Sequence, residues 1–251
     1  MSSERQEYSE NSPWWGEHAH RYYMTFQYIS SNNRILDIAC GNGFGSYMLS
    51  KKTINTVIGA DISEETIVAC SAKFSDNSNL IFKFVDGTKM PFQDCYFDTI
   101  VSFETIEHTT SYLKMLSEFN RTLKDGGLAI ISTPNIVINS PKGVVLNPYH
   151  TQEFTYDELK NYLEDAFSYV KIFGQKYIRY NKKSFRNSIG KIVETLLYQR
   201  GVRKIPLSVQ NAIMRMLIWK NMYPLGDDFS LVEEKNEILK CKTFFAVCHK
   251  K

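Results

Sequence analysis

Apolar positions fall in short runs that end in turn residues. Residues 34–40 (RILDIAC), 56–62 (TVIGADI), 97–103 (FDTIVSF) and 128–133 (LAIIST) read as buried strands, and 79–85 (NLIFKFV) alternates in strand fashion. Helical patterns lie between them. One covers 44–52, directly after a glycine turn. A second starts at the cap Ser63, with Glu64 and Glu65 in its first turn, and runs to about Phe74. A third runs from about Thr110 to Leu123 and stops at Lys124-Asp125-Gly126-Gly127. A fourth is capped by Thr155 and reaches about Leu163. Residues 167–173 and 243–249 (TFFAVCH) read as two further strands. Alternating strands and helices predict an α/β fold, a parallel sheet with helices on both faces. The stretch 176–240 is extra to that pattern.

The chain has 251 residues, 43% of them hydrophobic, which suits one large domain, or one domain plus an addition, and excludes disorder as a whole. The pattern divides it into an N-terminal arm (1–33), a core (34–175), an inserted segment (176–240) and a last core strand (241–251). Five scattered cysteines without a C-x-x-C pair exclude a disulfide scaffold and fit a reducing compartment. The N-terminus lacks the apolar stretch of a signal peptide. No window of about 18 apolar residues predicts a membrane span. A cytoplasmic location is expected, with membrane association left open.

The net charge of +3 is an average of unlike parts. Residues 176–220 carry eleven bases against one acid, Glu194, and so hold +10, which leaves −7 for the rest. The same segment is rich in Ile, Leu, Val and Met. It predicts two basic amphipathic helices broken near Gly201 and Pro206.

Candidate chemistry sits at the strand ends. Gly41-Asn42-Gly43-Phe44-Gly45 follows the first strand and opens a helix, so backbone and helix N-terminus can approach an anionic ligand group. A nicotinamide fingerprint would need glycine at 46, and Ser46 stands there. Asp37 lies in the strand before the loop. Asp61 ends the second strand, where a carboxylate can accept both ribose hydroxyls. Asp86 ends the third and is followed by Gly87.

The ordered runs LDIACGNGFGS, GADIS, FVDGTKMPF, FDTIVSFETIEHT and LKDGGLAIISTPN resemble class I S-adenosylmethionine-dependent methyltransferases. They are most similar to the small-molecule, methyltransferase 11-like branch, in which a Glu-x-x-Glu-His segment follows the fourth strand. The resemblance implies a Rossmann-like, seven-stranded, mostly parallel sheet whose last strand is antiparallel. It implies S-adenosylmethionine as cofactor. Asp37, Ala39 and the loop glycines Gly41 and Gly43 would face its methionine part. Asp61 would bind the ribose, with Ile62 against the adenine. Asp86 would take the adenine amino group beside Gly87, and Ser102 and Phe103 would line the methionine side.

A hydroxyl acceptor is a weak nucleophile, and a histidine base helps it. His108, after the fourth strand, and His150, in the segment after the fifth, are the catalytic candidates; Glu17, His18, Glu104 and Tyr149 are the acceptor-binding ones. Trp14 and Trp15 suggest an ordered arm over the cofactor. If Glu104, Glu107 and His108 lie on one helical turn, they share a face and a divalent site is conceivable. No required metal is expected.

The segments Pro13–His18 and Thr133–Phe154 loosely resemble methyltransferases of bacterial polysaccharide and glycolipid biosynthesis. That likeness implies O-methylation of a sugar hydroxyl on a nucleotide- or lipid-linked glycan. The basic segment would meet the phosphates of the acceptor or touch a membrane peripherally. Nucleic acid ranks last, for want of a recognised motif. The alternatives are O-methylation of a quinone or lipid phenol, and a non-catalytic methyltransferase-like binding module. The oligomeric state is not legible.

Overall fold

The computed structural model describes residues 12–181, 184–199 and 205–251. The expected helix break at Gly201 and the bases Lys182, Lys183, Arg200, Arg203 and Lys204 lie outside the described residues.

Two compact units emerge. The first comprises residues 21–176 and 231–251; the described residues of the second are 12–20, 177–181, 184–199 and 205–230. The first unit is built on five parallel strands: β1 (Ile35–Ile38), β2 (Val57–Asp61), β3 (Leu80–Phe84), β4 (Phe97–Phe103) and β5 (Leu123–Pro134). Strands β6 (Tyr169–Tyr177), β7 (Phe229–Val232) and β8 (Thr243–His249) complete one sheet in the order β3-β2-β1-β4-β5-β8-β6-β7. Strand β8 runs antiparallel to both β5 and β6, as the last strand should. The sheet has eight strands where seven were expected. The addition, β7, is four half-buried residues between polar loops, too short to carry a periodic signal.

The strands bury continuous apolar runs. Ile35, Leu36, Ile100, Val101, Ala129 and Ile130 are fully buried, as strands covered on both faces require. Helices α2 (Phe44–Ser50) and α3 (Glu64–Lys73) follow β1 and β2; α4 (Tyr112–Thr122) follows β4, and a single turn, α5 (Ile136–Asn139), follows β5. Helix α6 (Tyr156–Ala166) begins with a capping box, Thr155 exchanging bonds with Glu158. Leu116 and Phe119 of α4 and Leu159 and Leu163 of α6 close one face of the core. A last helical turn, α9 (Lys235–Ile238), precedes β8.

The turn expected at Lys124–Gly127 becomes part of β5 as a bulge. The partner of Phe97 is Leu123, yet that of Thr99 is already Leu128. The intervening residues loop outward through Gly126 at φ +75°, a conformation open to glycine.

In the second unit, α7 (Phe185–Gln199) and α8 (Leu207–Ile218) supply the two predicted helices. Their anchor is Arg179, whose side chain is buried. It donates to the carbonyls of Met222 and Asn221 and pairs with Glu194 and Asp228. Helix α1 (Trp15–Thr25) starts in this unit, with Trp15 buried and Trp14 exposed. None of the five cysteines forms a disulfide.

Candidate cofactor and acceptor site

The strand order reverses between β1 and β4, and ligands of open α/β sheets bind at the carboxyl ends of strands there. The glycine loop occupies that edge. Ala39, Gly41 and Gly43 all have positive φ, so the chain after β1 turns through left-handed conformations before α2 begins. A Cβ built on Gly41 would meet nothing within 4 Å, so an open space lies beside the loop backbone.

Asp37 faces inward. It is 1% exposed and accepts from Ser46 Oγ at 2.6 Å and from the Tyr22 hydroxyl at 3.2 Å. The serine at the third fingerprint position is therefore a brace for this acid. Tyr22, on α1, lies edge-on to Phe44 and Phe103 and directly over Gly45. A Cβ on Gly45 would stand 1.9 Å from the tyrosine ring. Gly45→Ala should therefore cost about 2 kcal/mol or more of stability by overpacking. Urea unfolding checks it, and in a Tyr22→Ala background the further cost of Gly45→Ala should largely vanish.

Burial pushes the Asp37 carboxyl from its ordinary 3.8 up to about 7, against the lowering effect of the Ser46 and Tyr22 hydroxyls. A carboxyl raised on folding stabilises most below its unfolded value of 3.8, and that stability is lost as pH rises through about 7. The shift corresponds to about 4 kcal/mol. Asp37→Asn should thus flatten the decline in unfolding temperature between about pH 4 and about pH 8. A decline as steep as that of the parent would contradict the assignment.

Asp61, at the end of β2, is the second fixed acid. Its Oδ2 accepts from the Gly41 amide at 3.1 Å and its Oδ1 from the Ser63 amide at 2.9 Å. Ile62 beside it is 65% exposed, an apolar shelf next to a polar anchor. Asp86 is exposed, and the Thr88 amide and hydroxyl hold its carboxyl below the usual range. Gly87 is buried, and a Cβ there would meet Met115 at 2.8 Å. At the end of β4, Ser102 is fully buried, and its Oγ has no hydrogen-bond partner among the described residues. Phe103, beside it, is buried as well. An orphaned hydroxyl, an open loop and a two-handed carboxylate at one edge fit the polar outline of S-adenosylmethionine.

The next turn departs from expectation. Glu104, Glu107 and His108 do not share a helical face. Glu104 has φ +50°, a strained left-handed conformation, and helical structure is confined to Ile106–His108. The Glu104 side chain accepts from Ser132 Oγ at 2.8 Å and lies 3.6 Å from the buried Arg21. Glu107 is fully buried; its Oε2 accepts from Thr133 and its Oε1 has no hydrogen-bond partner among the described residues. Burial, and then the Glu104 charge, push its carboxyl well above the usual range.

Residues 147–153 fold back onto this turn. The Thr151 amide donates to the Glu107 carbonyl, and Gln152 Nε2 reaches the carbonyls of Ile106 and Thr109. The rings of His108 and His150 meet edge to face, 4.8 Å between centres. His108 Nδ1 donates to the Tyr149 carbonyl at 3.0 Å, so in the neutral ring Nε2 is the acceptor nitrogen; it lies 4.0 Å from Glu107 Oε1. His150 is tied at both nitrogens, Nδ1 to Glu153 at 2.8 Å and Nε2 to Asn147 at 2.9 Å. Ligand-type atoms of Glu107, His108 and His150 lie within 4.8 Å of one another. The Tyr149 ring is half exposed and contributes its carbonyl rather than its hydroxyl to this cluster. Glu17 and His18 are half-buried on α1 in the second unit.

Sequence reasoning missed Arg21, Tyr22, Ser132, Thr133 and Glu153. Only Glu153 left a signal, its spacing of three residues from His150. The others become partners through strand pairing and helix placement.

Residues 36–131 match the family described as Methyltransferase domain. A probable S-adenosylmethionine-dependent methyltransferase of Mycolicibacterium smegmatis is 30% identical over 159 residues, 63% of this chain and 60% of that protein. A demethylmenaquinone methyltransferase of Staphylococcus saprophyticus is 33% identical over 104 residues, 41% of this chain and 45% of its own. The chain thus spans only part of the length of the curated relatives it matches. Among solved structures, a methyltransferase of Thermotoga maritima, described as a possible histamine N-methyltransferase, superposes with a TM-score of 0.59 at 16% identity. That alignment covers 94% of this chain and 90% of the other. Fold, glycine loop, strand-end acids and these likenesses agree: the sheet has the Rossmann-like fold of S-adenosylmethionine-dependent methyltransferases, and residues 36–131 are similar to their methyltransferase domain.

Proposed function

We propose that the whole chain transfers a methyl group from S-adenosylmethionine to a hydroxyl, that of a sugar in a nucleotide- or lipid-linked glycan. The observation that supports it best is His108, held by the Tyr149 carbonyl so that Nε2 is its acceptor nitrogen, one turn beyond the end of β4. A sugar hydroxyl is too weak an acid to ionise unaided near neutrality, so it needs such a base. A phenol ionises more readily and needs one less.

The bound cofactor would supply an activated methyl group on sulfur, and the protein's part is orientation and proton removal. Asp61 and Ile62 would hold the nucleoside end, with Asp86 and Gly87 beyond them. Ala39, Gly41, Gly43, Ser102 and Phe103 would line the methionine end, while Asp37 braces the loop from behind. Glu104 and the Tyr149 ring would contact the acceptor. His108 would take the hydroxyl proton at Nε2. His150, fixed by Glu153 and Asn147, would act as a positioning residue that keeps the His108 ring upright.

The test is transfer of labelled methyl to fractionated nucleotide sugars, glycolipids and quinols, read by mass spectrometry. Label in a sugar-bearing product supports the reading. Label confined to the quinol replaces it with the second reading, which the demethylmenaquinone relative favours. Cofactor binding without transfer to any fraction would make the protein a binding module. A parallel reaction with chelator should retain activity; loss that magnesium restores would make Glu107, His108 and His150 a metal site.

A further inference from the structure

The two helices of the second unit each bury one face and leave another open. Helix α7 packs through Gly190, where a Cβ would meet Ile218 at 2.4 Å, and α8 buries Gln210 and Met214. Each open face carries an apolar stripe among polar and basic residues. On α7, Phe185, Ile189, Ile192 and Leu196 recur at i, i+4, i+7 and i+11, one stripe of a helix. On α8, Val209, Ala212, Met216 and Trp219 recur at i, i+3, i+7 and i+10. Phe185 is 82% exposed, Met216 70% and Trp219 76%. A globular helix normally turns such a stripe inward.

The charge around the stripes has one sign. The Arg186 guanidinium lies 4.1 Å over the Trp219 ring, and Lys191 and Arg215 are exposed. The only acid of residues 176–220, Glu194, is turned inward, where Arg179, Tyr177 and Tyr180 bind it. The outward face of the helix pair therefore carries no carboxylate from this segment. The sequence adds Lys182 and Lys183 before α7, and Arg200, Arg203 and Lys204 between the helices.

We infer that the α7–α8 pair docks on the surface of an anionic lipid bilayer. The stripes enter the boundary between headgroups and acyl chains, and the flanking bases meet the headgroup phosphates. Tryptophan and phenylalanine at the rim suit that boundary. A small phosphorylated ligand would need bases converging on a point, whereas the described bases Arg186 and Lys191 are spread along α7 beside an apolar stripe about 16 Å long. No described helix is long and apolar enough to cross a membrane, so the contact is peripheral. The inference does not depend on which hydroxyl is methylated.

The experiment is sedimentation of the full chain with vesicles of phosphatidylcholine alone, or mixed with an equal amount of phosphatidylglycerol. Binding should be about tenfold or more tighter to the mixed vesicles and should weaken as salt is raised. The triple variant Phe185→Ser, Ile192→Ser, Trp219→Ser should lose it, and so should the charge reversal Lys191→Glu, Arg215→Glu. All these side chains are exposed, so unfolding temperature and S-adenosylmethionine affinity should match the parent and show that the fold survives. Failure to sediment with either vesicle, equal binding to both, or binding unchanged in both variants overturns the inference. Retention of RNA with no retention of vesicles overturns it in favour of a nucleic-acid surface.

Discussion

Asp61→Ala should weaken S-adenosylmethionine binding roughly a hundredfold while the chain stays folded. The carboxylate works in two directions. Its Oδ2 holds the Gly41 amide and its Oδ1 the Ser63 amide, at the strand end where the carboxylate would accept the proposed ribose hydroxyls. Alanine removes the ligand bonds and loosens the loop that presents the glycine backbone. Two charge-assisted hydrogen bonds at about 1.5 kcal/mol each give roughly that factor. The core is untouched: Ile58 and Ala60 of β2 stay packed against Leu36 and Ile38. Calorimetric titration with the cofactor is the measurement. Affinity within a factor of about three of the parent would remove Asp61 from the site. Asp61→Asn should fall between the two, since the amide keeps one acceptor.

His108→Gln should lower the methyl-transfer rate by about 10²–10⁴-fold and leave cofactor affinity intact. The glutamine amide can still hydrogen-bond near Tyr149 but cannot take a proton. The side chain is one-third exposed, so the substitution leaves no buried hole. The informative comparison is His150→Gln. That ring is nearly buried and bonded at both nitrogens, so its loss loosens residues 147–153 and moves His108 indirectly. A smaller fall in kcat with a larger rise in acceptor KM is expected for His150→Gln. Equal loss of kcat in both variants would mean that the two imidazoles share the proton transfer. Full activity in His108→Gln would exclude it as the base.

Much of the frame was legible from local pattern. Strands β4 and β8 occupy the residues their apolar runs predicted, because a strand buried on both faces must be a continuous apolar run. The glycine loop and the acids Asp37, Asp61 and Asp86 were legible because strand-end turns need particular residue types at fixed spacing. The charge asymmetry of the basic segment was also a matter of sequence, and two helices do occupy it.

The direction in which those side chains point was decided by tertiary structure. Asp37 looked like a ligand contact, but Tyr22, brought in by a helix that precedes β1, and Ser46 turn it into a buried brace. Glu104 looked helical with Glu107, yet the close approach of β5 holds its amide and carboxylate on Ser132 and forces a left-handed backbone. His108 and His150 are distant in sequence and meet because residues 147–153 bond back to the carbonyls of Ile106, Glu107 and Thr109. Periodicity and turn chemistry are local, so they fix where strands begin and end. Which polar groups satisfy one another when buried is settled by chain segments far apart, and that only packing determines.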